Sequence, residues 1–280
     1  MRKLIIIVSF FVAISTFSQQ VDLVKKAQEI TEEGKFLYRL EMAAWHGTDI
    51  FLESFKEKAR IGGYFTYIEK DTPKCLFFSK GDIPKVIGVV SFGDIKVVET
   101  ATIDFKERDF KQDEKELYTM RTTALQEIQQ DTLFKKYTNT NFNLIPVIYK
   151  DERKVYVLTG PKKEGVVLFG NDYLMVFDKQ DNLLEKKEIH RNLIPIKFEM
   201  EEQDESKKIV ASVHSHAVET GEFITPTDIC TLMLYGKFTG WKRHIVISEN
   251  YVSIWDCISE SLVIMTTEEY ERMRDEEKYG

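Results

Sequence analysis

The chain opens on a continuous apolar run, residues 4–14, behind Arg2 and Lys3 and ahead of the small and polar residues 15–18. The run is about eleven residues long, whereas crossing a bilayer takes roughly twenty. It is too uniformly apolar to leave a solvent face, so it does not read as an ordinary surface helix. A charged start, a short apolar middle and a polar, small-residue end are the order that a signal peptidase reads. Residues 1–18 are therefore expected to be a secretory signal peptide cleaved after Ser18. The mature chain is then exported, periplasmic or secreted, with no membrane anchor after cleavage.

Beyond this segment Leu23, Val24, Ala27, Ile30, Leu37, Leu40, Met42 and Trp45 recur at helical spacing. Gly34 and Gly47 are expected to break residues 21–55 into an amphipathic helix pair. Residues 62–102 change character. Their β-branched and aromatic runs, separated by Asp, Pro and Gly, predict three or four antiparallel strands. Helical spacing returns through Phe110, Leu117, Met120, Ala124, Leu125, Ile128 and Phe134, which predicts one long helix over 107–137. The polar stretch 138–143 is the expected domain boundary.

Short strands follow at 144–149, 154–159, 166–170 and 173–178, then at 184–189 and 194–198. Residues 199–208 are charge-dense and read as a solvated connection. A strand at 209–216, a helix at 225–235, strands at 244–248 and 251–255 and a polar tail at 266–280 complete the chain. The fold class is α+β. A helix and antiparallel-sheet domain of unassigned role is expected over 21–140, and a mixed sheet with helices over 141–265. A single sheet running through both is the alternative topology.

Composition narrows the chemistry. Hydrophobic residues at 43% and aromatics at 12% suffice to bury a core. Thirty-nine basic against 46 acidic residues give a net charge of -7, hence no broad positive field and no expected nucleic-acid partner. Cys75, Cys230 and Cys257 match no metal knuckle. One disulfide with one thiol, or three packed thiols, both remain open.

The most informative segment is 209–235. On a strand, side chains two apart share a face, so His214 and His216 point together while Ser215 points away. Twelve residues after His216, Asp228 falls in the first turn of the predicted helix. Two imidazoles and a carboxylate with a position left for water are how catalytic zinc is held. The same residues also have a local explanation, because Thr225, Pro226 and Asp228 form a helix-start capping box that needs no metal.

The run His214-Ser215-His216, a glycine-containing loop and then Thr225-Pro226-Thr227-Asp228 resembles the His-x-His and Ser-x-x-Asp motif of JAB/MPN (JAMM) metallopeptidases. The resemblance covers roughly 164–255. It implies a JAB-like mixed sheet, with Zn2+ held by His214, His216 and Asp228. It also implies Glu164, some fifty residues upstream in a Lys-Glu-Gly-Val setting, as the general base. Thr225, in the place of the family's serine, would hydrogen-bond the water or the developing oxyanion. The expected reaction is hydrolysis of a peptide, isopeptide or other amide bond outside the cytoplasm, with a peptide or protein as substrate.

Two departures from the motif are Ala217, where the family has proline, and a loop one residue longer. They favour a second reading, an inactive JAB-like binding module. A third is a metal-free exported interaction protein with structural histidines. Of the other histidines, His46 reads as a helix-end cap or packed ring, and His244 as a surface residue at a strand start. His190 reads as a residue following a strand, with a third imidazole near the site as the alternative. Asp172, in the Gly170 to Tyr173 turn, is an alternative site acid.

Overall fold

The computed structural model describes the backbone of residues 2–198 and 211–279, and the side chains of 23–198 and 211–276. The connection expected at 199–208 lies outside the described residues. The chain is α+β. Its contacts divide it into two compact units, one of residues 1–35 with 201–280 and one of residues 36–200. The boundary expected at 138–143 falls inside the second unit.

Helix α1 runs Arg2–Ser54 without a break. The helix pair expected around Gly34 and Gly47 is thus one helix, and packing explains both glycines. A Cβ on Gly34 would lie 2.7 Å from Ile229, and one on Gly47 would lie 2.5 Å from the Cβ of Cys75. These residues are small because a neighbour crosses the helix there, and tertiary contact overrides their weak helix propensity. His46 accordingly sits inside α1 rather than at an end, its ring stacked beside Trp45.

Within residues 36–200 the first sheet is β1 (Ile61–Glu69), β2 (Thr72–Ser79), β3 (Val86–Ser91) and β4 (Thr102–Asp104), antiparallel in that order. Cys75, Leu76, Phe77 and Phe78 are buried in succession because both faces of the sheet are covered. Leu76 and Phe78 face α2 (Gln112–Gln130), through Leu117, Met120, Ala124 and Ile128. Cys75 and Phe77 face α1, where Phe51 and Phe77 stack at 3.8 Å. Helix α2 is shorter than the 107–137 expected. Residues 131–137 instead form an irregular segment, in which Phe134 packs on Tyr173.

The second sheet of this unit has the order β5-β6-β8-β9, from β5 (Thr140–Tyr149), β6 (Glu152–Pro161), β8 (Tyr173–Phe177) and β9 (Leu183–Glu188). A two-stranded ladder joins β7 (Val166–Gly170) to β10 (Leu193–Lys197). Val155, Val157 and Met175 of the second sheet enter the same core as α2 and the first sheet.

The other unit holds a mixed sheet in the order β11-β12-β13-β14: β11 (Ala211–Ser215), β12 (Arg243–Ile247), β13 (Tyr251–Asp256) and β14 (Ser261–Thr266). Strands β11 and β12 run parallel, so the chain between them must cross over, and α3 (Pro226–Thr239) makes the crossing. Helix α3 is buried along residues 227–232, where Gly34 of α1 rests on Ile229. Strand β14 was not expected from the sequence. Helix α4 (Thr267–Tyr279) occupies the predicted polar tail. Among the described residues no helix is long and apolar enough to cross a membrane.

Candidate metal centre

Strand alternation builds the site. Ser212 and His214 are buried on one face of β11, His216 continues that face just past its end, and Val213 and Ser215 are exposed on the other. The His214 and His216 rings approach with their Nε2 atoms 2.9 Å apart. Asp228 reaches them from the first turn of α3. Its Oδ1 lies 3.8 Å from His214 Nε2, and its Oδ2 lies 3.6 Å from His216 Nε2. All three side chains are buried, Asp228 to 1% exposure.

The capping box and the metal-facing arrangement coexist. Thr225 starts α3 with extended backbone, and its N–H donates to Asp228 Oδ2 at 2.9 Å. Its hydroxyl donates to the same oxygen at 2.8 Å and accepts from the Asp228 N–H at 3.1 Å. The box therefore orients the carboxylate instead of competing with the histidines for it. Pro226 at the first helical position fits because no donor is needed there.

His216 is held from behind, as its Nδ1 donates to the carbonyl of Phe223 at 2.9 Å. Since a carbonyl only accepts, the proton of a neutral His216 sits on Nδ1, and Nε2 presents a lone pair to the cluster. His214 is backed by a residue that the sequence pattern alone puts on the surface. His244 is fully buried, and its Nε2 lies 2.9 Å from His214 Nδ1. Ser212 completes the line, its Oγ 2.7 Å from His244 Nδ1. The cause is register, because Ser212 and His244 are Cα partners across the parallel pair. Burial, then the neighbouring His214, pushes His244 down to about 3 against the pull of Asp228, so its ring is neutral near pH 7. The available signal was the two-residue alternation Ser212, His214, His216, combined with a strand that opens on His244.

The donor set suits a small divalent cation. Zinc–nitrogen bonds of 2.0–2.1 Å in tetrahedral geometry put ligand atoms ~3.3 Å apart. The separations of 2.9, 3.6 and 3.8 Å bracket that value, and the ligand atoms of the three residues all lie within 4.8 Å of one another. This buried cluster could hold a metal ion.

Glu164 is exposed in the turn between β6 and β7, in the unit of residues 36–200. His190 and Asp172 belong to that same unit and are both buried, with His190 Nδ1 3.5 Å from Asp172 Oδ2. Asp172 accepts the Thr159 N–H there at 2.9 Å. The three cysteines are free thiols, two buried and Cys257 half-buried. No protein-family model, curated protein or solved structure matches this chain.

Proposed function

We propose that this chain is an exported zinc-dependent hydrolase of amide bonds, peptide or isopeptide, whose metal is held by His214, His216 and Asp228. The observation that supports it is the buried convergence of two imidazole nitrogens and one carboxylate at separations suited to a tetrahedral ion. A zinc ion in such a site brings a bound water's pKa to near 7 and polarises a carbonyl. The chain's own residues prepare for it: the Phe223 carbonyl sets the His216 tautomer, and Thr225 fixes the carboxylate of Asp228. The resemblance to JAMM metallopeptidases supplies the reaction class and gives Glu164 the part of proton acceptor.

A metal-binding module without turnover is the second reading, and one observation favours it. The Thr225 hydroxyl donates its proton to Asp228, a bond it would have to give up to serve an oxyanion.

Metal content of the purified mature chain is the first test. Zinc near one equivalent is expected, and His216→Ala should lose both the metal and any hydrolysis. Glu164→Gln should keep the metal while turnover drops about 10² to 10⁴-fold, the usual general-base contribution. Unchanged turnover in that variant removes Glu164 from the mechanism. Zinc with no cleavage of peptide or isopeptide substrates selects the binding module, and absence of metal selects the metal-free reading. Export is checked separately by mass spectrometry of the mature N-terminus, expected at or near Gln19.

A further inference from the structure

Ser212, His244, His214, His216 and the Phe223 carbonyl form one uninterrupted line of contacts at 2.7, 2.9, 2.9 and 2.9 Å. The line has a direction because its last member can only accept. With every imidazole neutral, the proton on His216 Nδ1 leaves Nε2 as an acceptor, so His214 must donate from its own Nε2. His214 Nδ1 then accepts from His244 Nε2, and His244 Nδ1 accepts from the Ser212 hydroxyl.

This order satisfies every hydrogen bond in the line, but it puts a proton on His214 Nε2, the atom that faces Asp228. A cation needs that lone pair. One other ordering frees it and gives up only the His214–His216 hydrogen bond, whose two Nε2 lone pairs a cation would then share. The His214 proton moves to Nδ1 and is donated to His244 Nε2, while His244 carries its proton on Nδ1 and donates to Ser212 Oγ. Each imidazole keeps one proton and no charge changes. His216 already has the required form and stays as it is.

We infer that His244, backed by Ser212, is a positioning residue for the metal centre: it switches tautomer together with His214 when a divalent cation enters, and so holds the His214 ring with Nε2 presented to the metal. This rests on the metal-binding part of the proposed function. Burial makes the role specific, since His244 has no exposure and solvent has little access to replace it as the partner of His214 Nδ1. Outer partners of metal-bound histidines do this elsewhere by accepting the distal N–H, and their loss typically weakens metal binding 10 to 100-fold.

The test is carried out on the full mature chain with zinc as the probe. Nitrogen-15 NMR of the imidazoles in the metal-free protein should show Nε2–H on His214 and His244 and Nδ1–H on His216. On adding zinc, His244 should change to Nδ1–H although it never touches the ion. In chelator competition, His244→Phe should weaken zinc binding about 10 to 100-fold. His244→Gln, whose amide oxygen can accept from His214 Nδ1, should recover most of the affinity, a rescue that a purely space-filling role would reverse. Zinc binding with an unchanged His244 tautomer, or equal affinity in the Phe and Gln variants, overturns the inference and leaves the proposed metal site standing. No zinc binding by the unaltered chain overturns both, even if the metal-free proton order is as expected.

Discussion

Thr225 and Asp228 hold each other by three hydrogen bonds across the first turn of α3, two of them converging on Asp228 Oδ2. That pair makes the helix start and the carboxylate's aim a single structural fact. Replacing Thr225 by Ala removes the cap and should cost about 1 kcal/mol of stability. It should also weaken metal binding, because the carboxylate loses the hydroxyl that orients it. Thr225→Ser should restore both. Denaturant unfolding of the metal-free protein and a zinc titration read the two effects apart, and a variant with lowered stability but unchanged zinc affinity would make Thr225 a cap only.

Glu114 is a charged residue buried to 1% exposure. It accepts from Arg108 at 2.6 and 2.8 Å, from the Tyr67 hydroxyl at 2.8 Å and from the Lys111 N–H at 2.9 Å. Burial acts to raise its pKa, but these donors outweigh it and hold the carboxyl below its ordinary value. Arg108→Leu leaves the charge buried without its cation and should destabilise the protein by about 3 kcal/mol, the lower end for a broken buried pair because two donors remain. Adding Glu114→Leu should recover part of the loss. A single variant within about 0.5 kcal/mol of the original in denaturant unfolding would contradict this.

Two helical glycines should respond in opposite directions to the same substitution. Ala is better than Gly in a helix by about 1 kcal/mol. At Gly236 of α3 the new methyl meets nothing within 4 Å, so Gly236→Ala should stabilise by about that amount. At Gly47 of α1 the methyl would lie 2.5 Å from the Cβ of Cys75, and overpacking of about 1–3 kcal/mol should cancel or exceed the gain. Melting temperatures of the two variants, raised for the first and unchanged or lowered for the second, check this.

Acid should weaken the protein partly through Glu69. Lys111 at 2.8 Å, then Lys74 at 2.5 Å, push its carboxyl down to about 2 from an ordinary 4.5, against the effect of burial. A carboxyl depressed in the folded state stabilises it fully above the unfolded value, and the contribution disappears as pH falls from about 4.5 towards 2. Unmodified protein should therefore exceed Glu69→Gln in urea midpoint at pH 6, with the gap closing by pH 2. A gap that persists or widens in acid would assign the difference to another cause.

Much of this molecule is written in local patterns. Alternation along β11 is enough to put His214 and His216 on one face, and the Thr-Pro-x-Asp start of α3 locates Asp228. Both signals are short-range, set by a strand's period of two and by the first turn of a helix. Strand runs such as 166–170 are legible for the same reason. The hairpins β1–β2 and β5–β6 are less so, because both turn on Lys-Asp pairs, Lys70-Asp71 and Lys150-Asp151, at positive φ where Asn-Gly is the familiar signal.

What tertiary structure alone decided lies between elements distant in sequence. Gly34 and Gly47 look like helix breaks until Ile229 and Cys75 are seen pressed against them. His244 looks like a surface residue until parallel pairing sets it opposite Ser212 and in line with His214, thirty residues away in the chain. Sequence periodicity gives the face on which a side chain points. Only the register between strands and the crossing of helices determine what that face meets, because those depend on the whole core packing at once.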